Sequence, residues 1–171
     1  MRAHLERIVA GGQTGADRAG LDVAIRWNFP YGGWCPKNRK AEDGVIGGQY
    51  QLVETPSANY LQRTEWNARD SDATVIFTIA STLTGGSKRT AEFAAKHRKP
   101  SLHLPRHTSS YKSHALILQR FVEDNCVRVL NVAGTRASKE PEVWKFAYET
   151  LEAAFFWGKA HPGLLGGPGE G

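Results

Sequence analysis

The sequence predicts a single α/β domain whose mostly parallel sheet carries helices on both faces. Three observations point there. Apolar runs of strand length alternate with amphipathic segments of helix length, three strand-to-helix junctions are glycine-containing turns, and Asp72–Thr78 is a nearly continuous apolar run of the kind buried on both sides. The expected boundaries are one domain over residues 1–157 and a Gly/Pro-rich, flexible tail over 158–171.

The first strand ends at Ala10 and runs straight into Gly11-Gly-Gln-Thr-Gly15, then into a helix with Ala16, Gly20, Val23, Ala24 and Trp27 on one face. Unpaired N–H groups and the positive dipole end at such a helix start suit a phosphate or other oxyanion. The spacing fits neither G-x-G-x-x-G, which needs glycine at Gln13, nor a P-loop, which needs Gly-Lys-Ser/Thr after four intervening residues. Thr14 is placed to cap the helix, with Asp17 completing a capping-box-like pair.

Tyr31–Pro36 reads as a short strand ending at proline, and Lys37–Gly44 as a polar, aperiodic stretch that continues irregularly to Pro56 as a long functional loop. A helix follows over about Ala58–Arg69, where Thr64 and Asn67 lie one turn apart and can both face a pocket. After the apolar strand, Thr84-Gly-Gly-Ser87 repeats the order of strand, Gly-Gly turn and helix, the helix running to Ala95. Ser101–Leu104 is a strand, Leu116, Leu118, Phe121 and Val122 mark a helix, and Val127–Val132 is the last strand. The turn over Asn131–Pro141 contains Gly134. Pro141 suits the first position of a helix whose core face is Val143, Phe146, Ala147, Leu151, Ala154 and Phe155. Ligands of parallel sheets bind beyond the carboxyl ends of the strands, and all three glycine-containing turns fall there.

A chain of 171 residues can bury a core without disulfides or metal, and Cys35 and Cys126 make no disulfide framework. The net charge of +5 is scattered, and no arginine-rich arm, RNP pattern or zinc finger accompanies it. Attraction to small phosphorylated ligands is therefore favoured over nucleic acid. His103, His107 and His114 lack metal-ligand spacing and there is no Cys-x-x-Cys, so no protein-built metal site is expected. Without a leader-like start or a membrane-length apolar run, the chain is expected to be soluble and cytoplasmic. Trp144, Phe156 and Trp157 are expected to be exposed, which suggests a homo-oligomer, with closing the core an equal alternative for Trp157.

Gly11-Gly-Gln-Thr-Gly-Ala-Asp17, Gly32-Gly-Trp-Cys-Pro-Lys37, Thr84-Gly-Gly-Ser87 with Glu92, and Asn131-Val-Ala-Gly-Thr-Arg-Ala-Ser138 together resemble the molybdenum carrier family over about residues 7–157. The resemblance implies a Rossmann-like domain, related by circular permutation to the LOG-like (lysine-decarboxylase-like) proteins. It also implies a carrier of the molybdenum cofactor, a phosphorylated pterin whose dithiolene holds molybdenum with oxo groups. Molybdoenzymes or cofactor-biosynthesis proteins are the implied partners. Ligand-holding residues would be Gly11, Gly12, Gln13, Thr14, Gly15 and Asp17 in the first turn, and Lys37 and Arg39 after the second strand. Thr84, Gly85, Gly86, Ser87 and Thr90 would follow in the next turn, and Asn131, Gly134, Arg136 and Ser138 in the last, with Lys88 a further candidate cation. Cys35 is a weaker candidate for contact with the cofactor's metal, since a lone cysteine in apolar company is usually packed.

The LOG-like proteins supply the alternative. They carry Pro-Gly-Gly-x-Gly-Thr-x-x-Glu and cleave the N-glycosidic bond of a nucleoside monophosphate. Here the corresponding stretch is Thr84-Gly-Gly-Ser-Lys-Arg-Thr-Ala-Glu92, with Lys88-Arg89 in place of Gly-Thr. Glu92 is the acid/base candidate under this reading, and a nucleotide-sensing domain is a third possibility. No catalytic residue is assigned under the carrier reading.

Overall fold

Every residue of Ala73–Thr78 is buried, and a strand with two buried faces belongs in the middle of a sheet. The computed structural model describes residues 5–106 and 110–160. In chain order its elements are β1 (Arg7–Val9), α1 (Ala16–Arg26), β2 (Tyr31–Gly32), β3 (Trp34–Cys35), β4 (Lys40–Ala41), β5 (Gly44–Val45), β6 (Val53–Glu54) and α2 (Tyr60–Arg69). They continue with β7 (Ala73–Thr78), α3 (Gly85–Lys96), β8 (Ser101–Pro105), α4 (Tyr111–Asp124), β9 (Val129–Gly134), α5 (Val143–Phe155) and α6 (Trp157–Ala160). The main sheet has the order β2-β1-β9-β7-β8, and all of its pairings are parallel.

This is the predicted α/β, Rossmann-like architecture. Helices α1, α4 and α5 cover one face, and α2 and α3 the other. The two faces differ in chemistry. Ile8, Leu130, Val132, Val75 and Phe77 join the large apolar core with α1, α4 and α5. One position along in register, Val9, Asn131 and Thr74 turn to the opposite face, where Asn131 Nδ2 donates to Thr74 Oγ1 at 3.1 Å. Small residues let α1 lie close to the sheet: a Cβ on Gly20 would stand 2.8 Å from that of Val132. Among the described residues, no helix is long and apolar enough to cross a membrane.

Several boundaries differ from the expected ones. The segment after Pro36 is not an irregular loop. It holds a 3-10 turn (Lys37–Arg39), the antiparallel pair β4–β5, and β6, which pairs in parallel with β3 ahead of Pro36. A second small core lies under it, formed by Ala10, Leu21, Cys35, Ala41, Ile46 and Tyr50. Arg39 organises this segment by donating to the carbonyls of Ile46, Gly47 and Tyr50 at 2.7–3.0 Å. Pro141 precedes α5 rather than opening it, because the helix begins at Val143 with Glu142 as N-cap. Trp27 sits at the end of α1 as its C-cap, only partly buried.

Phe156 is the clearest correction. It is 2% exposed, stacked on Trp27 at 6.1 Å and edge-on to Phe29 at 5.3 Å, so it closes the core instead of offering a surface. Phe155 packs at the margin of the same core. Helical structure extends to Ala160, past the expected start of the tail, and the remainder of that tail from residue 161 lies outside the described residues, as does His107.

Candidate functional site

The first helix after β1 and the helix after β7 lie on opposite faces of the sheet, with β9 between them. That divergence opens a crevice at the carboxyl edge. A cavity of about 160 Å³ occupies it. The loops after β1, β7 and β9 form its rim, and α2 supplies one wall.

The Gly11–Gly15 turn is built inwardly. The Gln13 N–H donates to Asp17 Oδ2 at 3.2 Å, the Thr14 N–H to the Gln13 side chain at 3.0 Å, and the Ala16 N–H to the Thr135 carbonyl at 3.2 Å. These amides are therefore committed within the protein. Thr14 does not cap α1; Gly15 holds that position at φ 81°, where a side chain would be strained and would press on the Thr135 carbonyl and on Val143. The Thr14 hydroxyl instead donates to Glu42 and accepts the Ala137 N–H at 3.1 Å.

Asp17 pairs with a residue that the sequence reading did not select. Arg63 of α2 lies with its side chain 9% exposed, its Nη1 2.9 Å from Asp17 Oδ2 and its Nε 3.3 Å from the Tyr60 carbonyl. Asn59 caps α2 by accepting the Leu61 N–H at 2.9 Å. Asn67 anchors the helix to β3 through both backbone groups of Trp34, each at 2.9 Å. Gly11 leaves the room that Arg63 fills. Burial pushes the Asp17 carboxyl above its usual range, against the pull of Arg63 and the Gln13 amide.

Helix α3 begins at the cavity. The Thr84 N–H donates to Ser87 Oγ at 3.3 Å, which fixes the turn. The first amides of the helix, at Gly85 and Gly86, have no intrahelical acceptor. Lys139, from the β9–α5 loop, donates to Thr84 Oγ1 at 2.8 Å and brings an ammonium to that helix start.

The predicted residues fall into two groups. Gly11, Gln13, Asp17, Thr84, Gly85, Gly86, Ser87, Thr90, Asn131, Gly134 and Arg136 line the cavity, as do Thr64 and Asn67. Gly12, Thr14, Gly15, Lys37, Arg39, Lys88 and Ser138 are not on its wall. Gly12 accepts from Arg18 Nε at 3.1 Å, and Lys37 is exposed. Cys35 is fully buried in the second core, and burial raises its thiol. Arg63, Arg89, Lys139 and Tyr60 are wall residues that the sequence reading missed or left unassigned.

Two acids brace the β9–α5 loop from outside the cavity. Glu140 accepts the N–H groups of Ile79 and Ala80 at 2.6 and 3.1 Å. Burial opposes its charge, but those amides, the Thr135 hydroxyl and Lys139 hold its carboxyl below the ordinary 4.5. Glu42 is likewise opposed by burial and held below 4.5 by Ser138, Thr14 and Arg136. Glu92 lies on the exposed side of α3, paired with Arg89 at 2.8 Å. Among the described residues, no group of three or more His, Cys, Asp or Glu is gathered to hold a metal ion.

Fold and site define the class: a Rossmann-like domain with a cationic crevice at the carboxyl edge of a parallel sheet. The model of the circularly permutated YpsA SLOG family matches residues 8–155, and the chain belongs to that family. Among solved structures, a "putative molybdenum carrier protein" from Syntrophus aciditrophicus SB is 42% identical, with a TM-score of 0.87 over 90% of this chain and 97% of that one. The resemblance read from four separated motifs is thus confirmed, permutation included. No curated protein matches the chain.

Proposed function

We propose that the chain binds and carries a small phosphorylated ligand, the molybdenum cofactor, in the cavity at the carboxyl edge of the sheet. One observation carries this reading. The described wall holds four cations, Arg63, Arg89, Arg136 and Lys139, beside the opening of α3, against one wall carboxylate, Asp17, which is paired with Arg63; Arg89 is paired with Glu92 outside the wall. An excess of positive charge next to free helix-start amides fits a phosphate monoester and an oxo-bearing head group. Arg63, Arg136 and Lys139 would hold such oxyanions.

No cysteine is among the described wall residues, so the metal of a bound cofactor would stay on the cofactor's own sulfurs. The neighbour named as a molybdenum carrier supports a molybdenum-related cargo in general. Nucleotide cleavage needs an acid/base group at the ligand, and Glu92 is not among the described wall residues but lies on the exposed side of α3, paired with Arg89. Delivery to molybdoenzymes or cofactor-biosynthesis proteins, a homo-oligomeric state and a cytoplasmic location belong to the proposal. Exposed Leu116, Ile117 and Trp144 support association.

Calorimetric titration of the purified chain with molybdenum cofactor, molybdate and nucleoside monophosphates, with an assay for released base, tests this function. Cofactor binding without base release is expected. Base release that disappears in Glu92→Gln would overturn the carrier reading, and so would failure of every anion to bind.

A further inference from the structure

Glu42 stands outside the cavity yet touches two of the three loops that form it. Its carboxylate accepts the Thr14 hydroxyl from the β1–α1 loop. From the β9–α5 loop it accepts the Ser138 N–H at 3.1 Å and the Ser138 hydroxyl at 2.5 Å. Its own N–H donates to Gln13 Oε1 at 3.0 Å, the same oxygen that receives the Thr14 N–H. The adjacent Asp43 pairs with Arg18, whose Nε reaches the Gly12 carbonyl at 3.1 Å. The segment read as a polar functional loop therefore grips the Gly11–Gly15 turn from behind.

Two residues joined in this way also face the cavity. Gln13 and Arg136 lie on its wall, and Arg136 Nη1 is 3.9 Å from Glu42, with its side chain half exposed. By charge alone, a carboxylate so near an anion site weakens anion binding. By contact, it orders two loops whose freedom would otherwise be lost on binding, and such preorganisation strengthens it. Several donors on one carboxylate, two of them uncharged hydroxyls, favour contact over charge as the larger effect.

On the reading that the cavity binds a phosphorylated ligand, we propose that Glu42 is the positioning residue of that site. It fixes the Gly11–Gly15 and Thr135–Ser138 loops against each other and thereby sets Gln13 and Arg136 on the wall.

The test compares Glu42→Ala and Glu42→Gln with the wild-type chain, using inorganic phosphate, a nucleoside monophosphate and the molybdenum cofactor as probes. Glu42→Ala should weaken each probe that binds by about tenfold or more, the size of lost bonds to a charged group. Glu42→Gln should stay within about threefold of wild type, because a carboxamide still accepts from Thr14 and engages Ser138. Hydrogen exchange at the Ala137 and Ser138 amides should quicken in Glu42→Ala while the β7 amides keep their protection. Binding in Glu42→Ala as tight as wild type, or tighter, overturns the proposal, as does unchanged exchange at Ala137 and Ser138. If the wild-type chain binds no probe, it is the proposed function that fails, and the exchange result alone decides the role of Glu42.

Discussion

Arg63 lies across Gly11 so closely that no side chain fits between them. A Cβ built on Gly11 would stand 2.8 Å from Cδ and 2.9 Å from Cζ of Arg63, and closer still to Nη1. Pinned by Asp17 and buried, Arg63 has little room to retreat. Gly11→Ala should therefore cost about 1–3 kcal/mol of stability, as overpacking does. It should also weaken anion binding. An unchanged denaturation midpoint would contradict this close approach.

Removing one member of the Arg63–Asp17 pair leaves the other buried without its partner. Arg63→Met should lose about 3–5 kcal/mol, while the double variant with Asp17→Asn should recover part of that loss. Chemical denaturation of both singles and the double closes the cycle. Additive losses would mean that the pair is not coupled.

Acid should loosen the loops before it unfolds the sheet. The Glu42 and Glu140 carboxyls are held below the ordinary 4.5, so the folded chain binds fewer protons than the unfolded one as the pH falls. Their stabilisation is complete above that value and is lost as the pH drops through the folded-state values. In thermal unfolding scanned from neutral pH downward, the difference between wild type and Glu42→Gln, which cancels the opposite contribution of the raised Asp17, should hold to about 4.5 and shrink below it.

Phe156 tests the interior role assigned to it. Sandwiched by Trp27 and Phe29, it should cost about 3–5 kcal/mol when cut to alanine. A loss below about 1 kcal/mol would return it to the surface.

Glu92→Gln should change little. Both members of the Glu92–Arg89 pair are about half exposed, and exposed pairs contribute about 0–1 kcal/mol. Titration with a nucleoside monophosphate should give the same affinity as wild type.

The sheet was legible because its strands are short apolar runs and its turns carry glycine, both local signals. Ala73–Thr78 and the Gly85 and Gly134 turns were found in this way. Arg63 was not, because an arginine on a helix reads as a surface charge and its partner Asp17 lies 46 positions away. Thr14 was assigned to the nearest helix, whereas its hydroxyl serves Glu42 across 28 residues. The segment after Pro36 has no periodicity to read, since its strands are two residues long and Arg39 holds it through backbone carbonyls. Most of what was missed consists of long-range polar pairings, which leave no local pattern, and Phe156 is buried by aromatic partners at Trp27 and Phe29, more than 120 positions away.

The sheet order also sets when the cavity can exist. β9, the last strand in the chain, is inserted between β1 and β7, pairing Arg7 with Val129. During synthesis the amino-terminal half therefore emerges with its central neighbour missing, and loop closure across more than a hundred residues must precede any pocket. Such a topology folds slowly, and a partly made chain without β9 has no crevice at the sheet edge.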